Sequence, residues 1–143
     1  MGDLVKTNAD GSIETVLFSG DRPYCLNVVD GWIYYIAGGL IYKVREDGTE
    51  NSLITSGFSG EDYLHGNTTQ GFHRIYRIVV VNEWIYCRAF NSDRTNAIYR
   101  IHADSGVVEQ LHQIDGSMNG FTVYDGWIYF SKLQNKCRWQ GEY

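Results

Sequence analysis

The chain has 143 residues, of which 43% are hydrophobic, enough for one ordinary domain with a real core and too many for a disordered chain. The net charge of −5 and a pI near 5.2 exclude a broad basic face, so neither nucleic acid nor an anionic membrane is an expected partner. No apolar run approaches the roughly 18 residues of a membrane span, and Met1-Gly2-Asp3 leads straight into a polar segment, so the expectation is a soluble chain without a signal peptide.

Aromatic residues make up 15% of the chain, with eleven Tyr and four Trp, against one proline and sixteen glycines. Aromatic and β-branched side chains suit pleated surfaces and glycine supplies turns, so the predicted class is all-β.

Two segments alternate along the chain. One recurs three times, as Val29-Asp30-Gly31-Trp32-Ile33-Tyr34-Tyr35, Val81-Asn82-Glu83-Trp84-Ile85-Tyr86-Cys87 and Tyr124-Asp125-Gly126-Trp127-Ile128-Tyr129-Phe130. The other is Ile41-Tyr42-Lys43-Val44 followed by Asp47-Gly48-Thr49, then Ile98-Tyr99-Arg100-Ile101 followed by Asp104-Ser105-Gly106. A fainter copy, Leu4-Val5-Lys6-Thr7 with Asp10-Gly11-Ser12, opens the chain.

In chain order the repeats predict strands labelled a to d: c and d near 4–8 and 13–18, then a complete set near 25–29, 32–36, 40–45 and 50–55. A second set follows near 75–81, 84–90, 97–102 and 107–113, then a and b near 120–124 and 127–131, with a further c strand from Lys136 and the last half unit running to 138. Asp30-Gly31 and Asp125-Gly126 are tight hairpin signals, because the turn needs positive φ. Asn82-Glu83 is the weaker substitute, since Glu tolerates that conformation poorly. Arg74 and Arg77 read as residues at the start of a strand, given the alternating Ile75, Tyr76 and Ile78. Both alternation faces of Trp32-Ile33-Tyr34-Tyr35-Ile36 are apolar, so the strand must be covered on both sides, as in small sheets stacked radially into a β-propeller.

These D-G-W-I-Y-Y and I-Y-K-x-x-x-D-G-T patterns resemble the repeats of a bacterial propeller family of unknown function, itself similar to the YWTD propellers of the LDL receptor. The resemblance spans nearly the whole chain and implies no reaction, cofactor or catalytic residue. The pieces amount to about three blades, whereas closed propellers have about four to eight. Two chains about a two-fold axis would give about six, each lending its first c and d strands to the other's last a and b strands; the alternative is a segment of a longer propeller.

Propeller ligands usually sit at the d-to-a and b-to-c loops. The spacing from Trp32 to Trp84 is 52 residues against 43 from Trp84 to Trp127, and the excess falls in the d-to-a segment 56–74. That segment carries Tyr63, His65, Phe72, His73 and Arg74, able to stack on and hydrogen-bond a sugar or peptide. Asp93 and Arg94 of the b-to-c loop, and Arg22 and Tyr24 of an earlier d-to-a loop, would share that face. His65 and His73 with Glu61 and Asp62 lack metal-site spacing, and G-x-S-x-G, P-loop and G-x-G-x-x-G motifs do not occur, so no metal or cofactor is expected. Cysteines 25, 87 and 137 form no C-x-x-C pair, and Cys87 reads as a small core residue. The expected function is a non-catalytic module binding a carbohydrate, peptide or protein; a propeller-type hydrolase or lyase, or a purely structural repeat, are the alternatives.

Overall fold

A computed structural model describes residues 1–54, 72–91 and 96–133, with twelve strands and no helix among them. The strands are β1 (Gly2–Thr7), β2 (Glu14–Gly20), β3 (Tyr24–Val29), β4 (Trp32–Ala37), β5 (Leu40–Arg45), β6 (Ser52–Leu53), β7 (Phe72–Val81), β8 (Trp84–Asn91), β9 (Asn96–His102), β10 (Val108–Ile114), β11 (Ser117–Tyr124) and β12 (Trp127–Leu133). All pairing is antiparallel, in four sheets: β1-β2, the meander β3-β4-β5-β6, the meander β7-β8-β9-β10, and β11-β12.

Turn chemistry sets these hairpins. Asp30 and Gly31 have φ of 50° and 81°, and Asp125 and Gly126 have 49° and 79°, the doubly left-handed turn that suits the twist of paired strands. Between β7 and β8 only Asn82 is left-handed, at φ 55°, and the hairpin still closes with Val81 opposite Trp84. At the β5-β6 corner the Asp47 carboxylate accepts from the Thr49 N–H at 2.9 Å and its hydroxyl at 2.6 Å, which holds that carboxyl below its ordinary pKa. Gly48 in this turn has φ 87°, and a Cβ there would stand 2.6 Å from the Leu17 carbonyl oxygen, so the corner seats directly on β2.

The sheets pack face to face in sequence order. Ile33, Tyr35, Ala37 and Val44 meet Leu4, Leu17 and Phe18, which places β1-β2 on one face of the first meander. The opposite parity of β4, Tyr34 and Ile36, joins Ile41 against Ile78, Val80, Ile85 and Cys87 of the second meander. That meander's other face, with Tyr86 and Ile98, packs on Phe121, Val123, Ile128 and Phe130 of the last hairpin. Equivalent residues therefore face equivalent ways: β4, β8 and β12 turn Ile33, Ile85 and Ile128 toward the preceding sheet, and β4 and β8 turn Tyr34 and Tyr86 toward the following one.

Trp32 and Trp84 are structural. Trp32 carries Lys43 at 4.5 Å and Arg45 at 3.9 Å from its ring, and Trp84 carries Arg100 at 4.0 Å with His102 edge-on at 5.0 Å. Each cation comes from the neighbouring strand, where Arg45 lies opposite Trp32 and His102 opposite Trp84.

Truncating Ile85, fully buried between the two meanders, to Ala will lower the unfolding free energy by about 2–5 kcal/mol, measured by urea titration. Burial pushes the Cys87 thiol up to about 12, so the Cys87 peptide will remain unlabelled by iodoacetamide in the native protein and react on unfolding, as read by mass spectrometry. Burial, its largest cause in both, raises the Tyr34 and Tyr35 hydroxyls above their ordinary 10.0, so the stability they contribute is present below pH 10 and is lost as pH rises through the raised values. Alkaline titration will show their tyrosinate absorbance emerging together with unfolding.

Candidate functional site

The leading strands β3, β7 and β11 lie side by side and are tied by side chains rather than by a backbone ladder. Cys25 Sγ accepts from the Ile78 N–H at 3.3 Å, and its thiol donates to the Ile78 carbonyl at 3.5 Å. Asn27 Nδ2 also donates to that carbonyl at 3.2 Å, while its Oδ1 accepts from the Val80 N–H at 3.2 Å. One strand further on, Arg77 Nε donates to the Phe121 carbonyl at 3.2 Å. Counted back from Trp32, Trp84 and Trp127, Cys25 and Arg77 occupy one position, and their acceptors Ile78 and Phe121 occupy the next. Gly120 holds the third copy of the donor position.

A pairing irregularity recurs at this place in all three leading strands, between Tyr24 and Asn27, between Ile75 and Arg77, and between Met118 and Gly120. A bulge re-aims the side chain beside it, which explains how a residue in a strand reaches its neighbour's backbone. Cys25 takes φ 56° there.

The same end of the second meander concentrates positive charge. Arg77 and Arg88 are direct cross-strand partners, an arrangement that like charges disfavour unless something else repays it. Arg88 lies over the Tyr76 ring at 5.4 Å and reaches Asn96 Oδ1 from Nη2 at 3.5 Å, and Asn96 Nδ2 in turn donates to the Gly116 carbonyl at 3.0 Å. Arg88 Nε is buried without a hydrogen-bond partner, and burial pulls the Arg88 pKa below its ordinary value. Among the described residues no carboxylate pairs with Arg77 or Arg88, in contrast to Arg45 with Glu50 at 2.7 Å and Arg100 with Glu109 at 2.6 Å.

Of the residues singled out from sequence, Tyr24 stands at this end, its hydroxyl donating to the Ile75 carbonyl at 3.4 Å. Arg22 is exposed with φ 41°, its N–H bonded to the Gly20 carbonyl at 3.2 Å. Phe72, His73 and Arg74 open the backbone of β7. Tyr63, His65, Asp93 and Arg94 lie outside the described residues. Arg88, Tyr76 and Asn96 were not marked by sequence alone; the one available signal was a charge inside the otherwise apolar run that follows Trp84. Among the described residues no three His, Cys, Asp or Glu side chains gather as a metal site would require.

No family model matches the chain, and no curated protein matches it.

Replacing Asn27 by Leu keeps the branched shape but strips two bonds to β7 and leaves the Val80 N–H without its Asn27 partner. The expected cost is about 1–3 kcal/mol in chemical denaturation, with faster amide exchange at Val80 than at Ile85.

Proposed function

We propose that the chain is a β-propeller segment that acts as a non-catalytic binding module, with its ligand surface at the end of the second meander where Arg77, Arg88 and Tyr76 gather. The blade reading is supported by the face-to-face order of the sheets and by the bulged leading strands that bond to one another at matching positions. It also agrees with the resemblance of the repeats to YWTD propellers.

The single observation that carries the ligand reading is an arginine pair that no carboxylate among the described residues neutralises, in an acidic chain. Two guanidinium groups held as cross-strand partners repel, and Arg88 gives up solvation on one nitrogen. A carboxylate bound across them would offset their repulsion and take charge-assisted hydrogen bonds. The ligand class is therefore an acidic peptide or a carbohydrate bearing uronic acid.

Screening acidic peptides and uronate-containing glycans beside neutral counterparts by calorimetry will decide the class. Binding of the acidic members alone, weakened by added salt and weakened roughly 10- to 100-fold by Arg77→Gln, is the expected result. Equal binding of neutral members, or indifference to Arg77→Gln, would reject it, and failure of every ligand would favour a purely structural repeat.

A further inference from the structure

We propose that the two open ends of the sheet stack are the two halves of one interface, and that a second copy of this chain occupies it. This inference uses the blade reading above but not the ligand.

Equivalent positions differ sharply in exposure according to where they fall in the stack. Tyr34 is 6% exposed beneath the following sheet, while its third copy, Tyr129, is 55% exposed and Trp127 beside it 68%. At the other end, Ile78 and Phe121 are 1% and 4% exposed beneath the preceding sheet, while their first copy, Leu26, is 49% exposed and Val28 beside it 59%. The exposed parts of β12 and β3 therefore carry the two kinds of surface that already meet inside the chain, where Tyr34 packs with Ile78 and Val80.

The edges match as well. In both meanders the Trp-Ile-Tyr strand pairs with the next strand, as β4 with β5 and β8 with β9. Among the described residues, β12 lacks that partner and β1 lacks the corresponding strand before it, since β11-β12 and β1-β2 are separate two-stranded sheets. In the register of the meanders Tyr35 faces Tyr42 and Cys87 faces Tyr99. Carried to the third copy, this register sets Phe130 opposite the partner's Val5 and Tyr129 opposite the partner's Lys6. It also sets Lys132 opposite the partner's Asp3, an opposite-charge pair. Lys6 takes the position of Lys43 and Arg100, the cations lying over Trp32 and Trp84, so the partner's Lys6 is placed to lie over Trp127.

A shallow depression of about 400 Å³, lined by residues that include Gly120, Phe121 and Tyr129, lies on this hairpin. Gly120 is the copy of Cys25 and Arg77, which reach across to the next leading strand, so here a space is left for the partner's β3 in place of a reaching side chain. A two-fold axis makes the two junctions identical and pairs the free edges of β12 and β1, whereas any other operator repeats the head-to-tail contact into a longer assembly.

Light scattering and sedimentation equilibrium on the intact chain test this. The expected mass is twice 16.4 kDa. Two paired variants carry the decisive result: Trp127→Asp with Tyr129→Asp, and Leu26→Asp with Val28→Asp, all at exposed positions, so each retains the β-sheet circular dichroism of the parent. Each variant alone damages both junctions and halves the mass; an equimolar mixture restores one intact junction and returns a dimer. A monomeric parent, an open-ended assembly, a dimer that survives either variant, or a mixture that stays monomeric would each overturn the proposal. A monomer that still binds acidic ligands would overturn this interface and leave the ligand reading standing.

Discussion

The structure turns on one requirement: β4, the first Trp-Ile-Tyr strand, is apolar on both faces and takes a cover on each side. Ile33 and Tyr35 reach their cover in Leu4 and Phe18, and Tyr34 and Ile36 in Ile78 and Val80. Full burial of such side chains contributes about 1.5–3 kcal/mol each, far more than any of the surface ion pairs. The stacking of separate small sheets, rather than one broad sheet with a wet face, follows from that demand.

Face packing alone would allow neighbouring sheets to slide, because dispersion and burial are indifferent to small shifts along the strand. The bonds from Cys25 and Asn27 to Ile78 and Val80, and from Arg77 to Phe121, are directional and fix one sheet against the next at its leading strand. They also satisfy backbone groups on strand edges that no ladder reaches, which would otherwise invite pairing with a foreign strand. Gly48 fixes the outer corner of the first meander in the same way, by an approach to Leu17 too close for any side chain.

Much of this was legible in the sequence because it is written in periodicity. The twofold alternation and the Asp-Gly turns predicted strand identity, and the all-β class follows from both. The hairpin at Asn82-Glu83 forms because asparagine alone supplies the left-handed residue, so the weaker turn signal sufficed. The fourth strand of the first meander is reduced to Ser52–Leu53, where the sequence suggested a strand over 50–55: Glu50 takes φ 56° and interrupts the extended run. The bulges were not legible, because they insert a residue without changing composition, and they decide where Cys25 and Arg77 point. The pairing of Arg77 with Arg88 follows from the unbroken register that the Asn82-Glu83 turn sets from Val81 and Trp84 outward, whereas the burial of the Arg88 Nε has no counterpart in periodicity.

Charge is where composition misleads most. The chain is acidic overall, and an arginine count would predict no anion site, yet its cations are not equivalent. Lys43, Arg45 and Arg100 lie against tryptophan rings, and the two arginines among them also pair with Glu50 and Glu109, so their charge is spent on holding neighbouring strands together. Arg77 and Arg88 carry the same formal charge but meet a carbonyl, an amide and a tyrosine ring, none of which cancels it. The net charge of −5 sharpens this contrast: a negative field over an acidic surface repels an approaching carboxylate, and Arg77 and Arg88, paired with no carboxylate among the described residues, stand out against it.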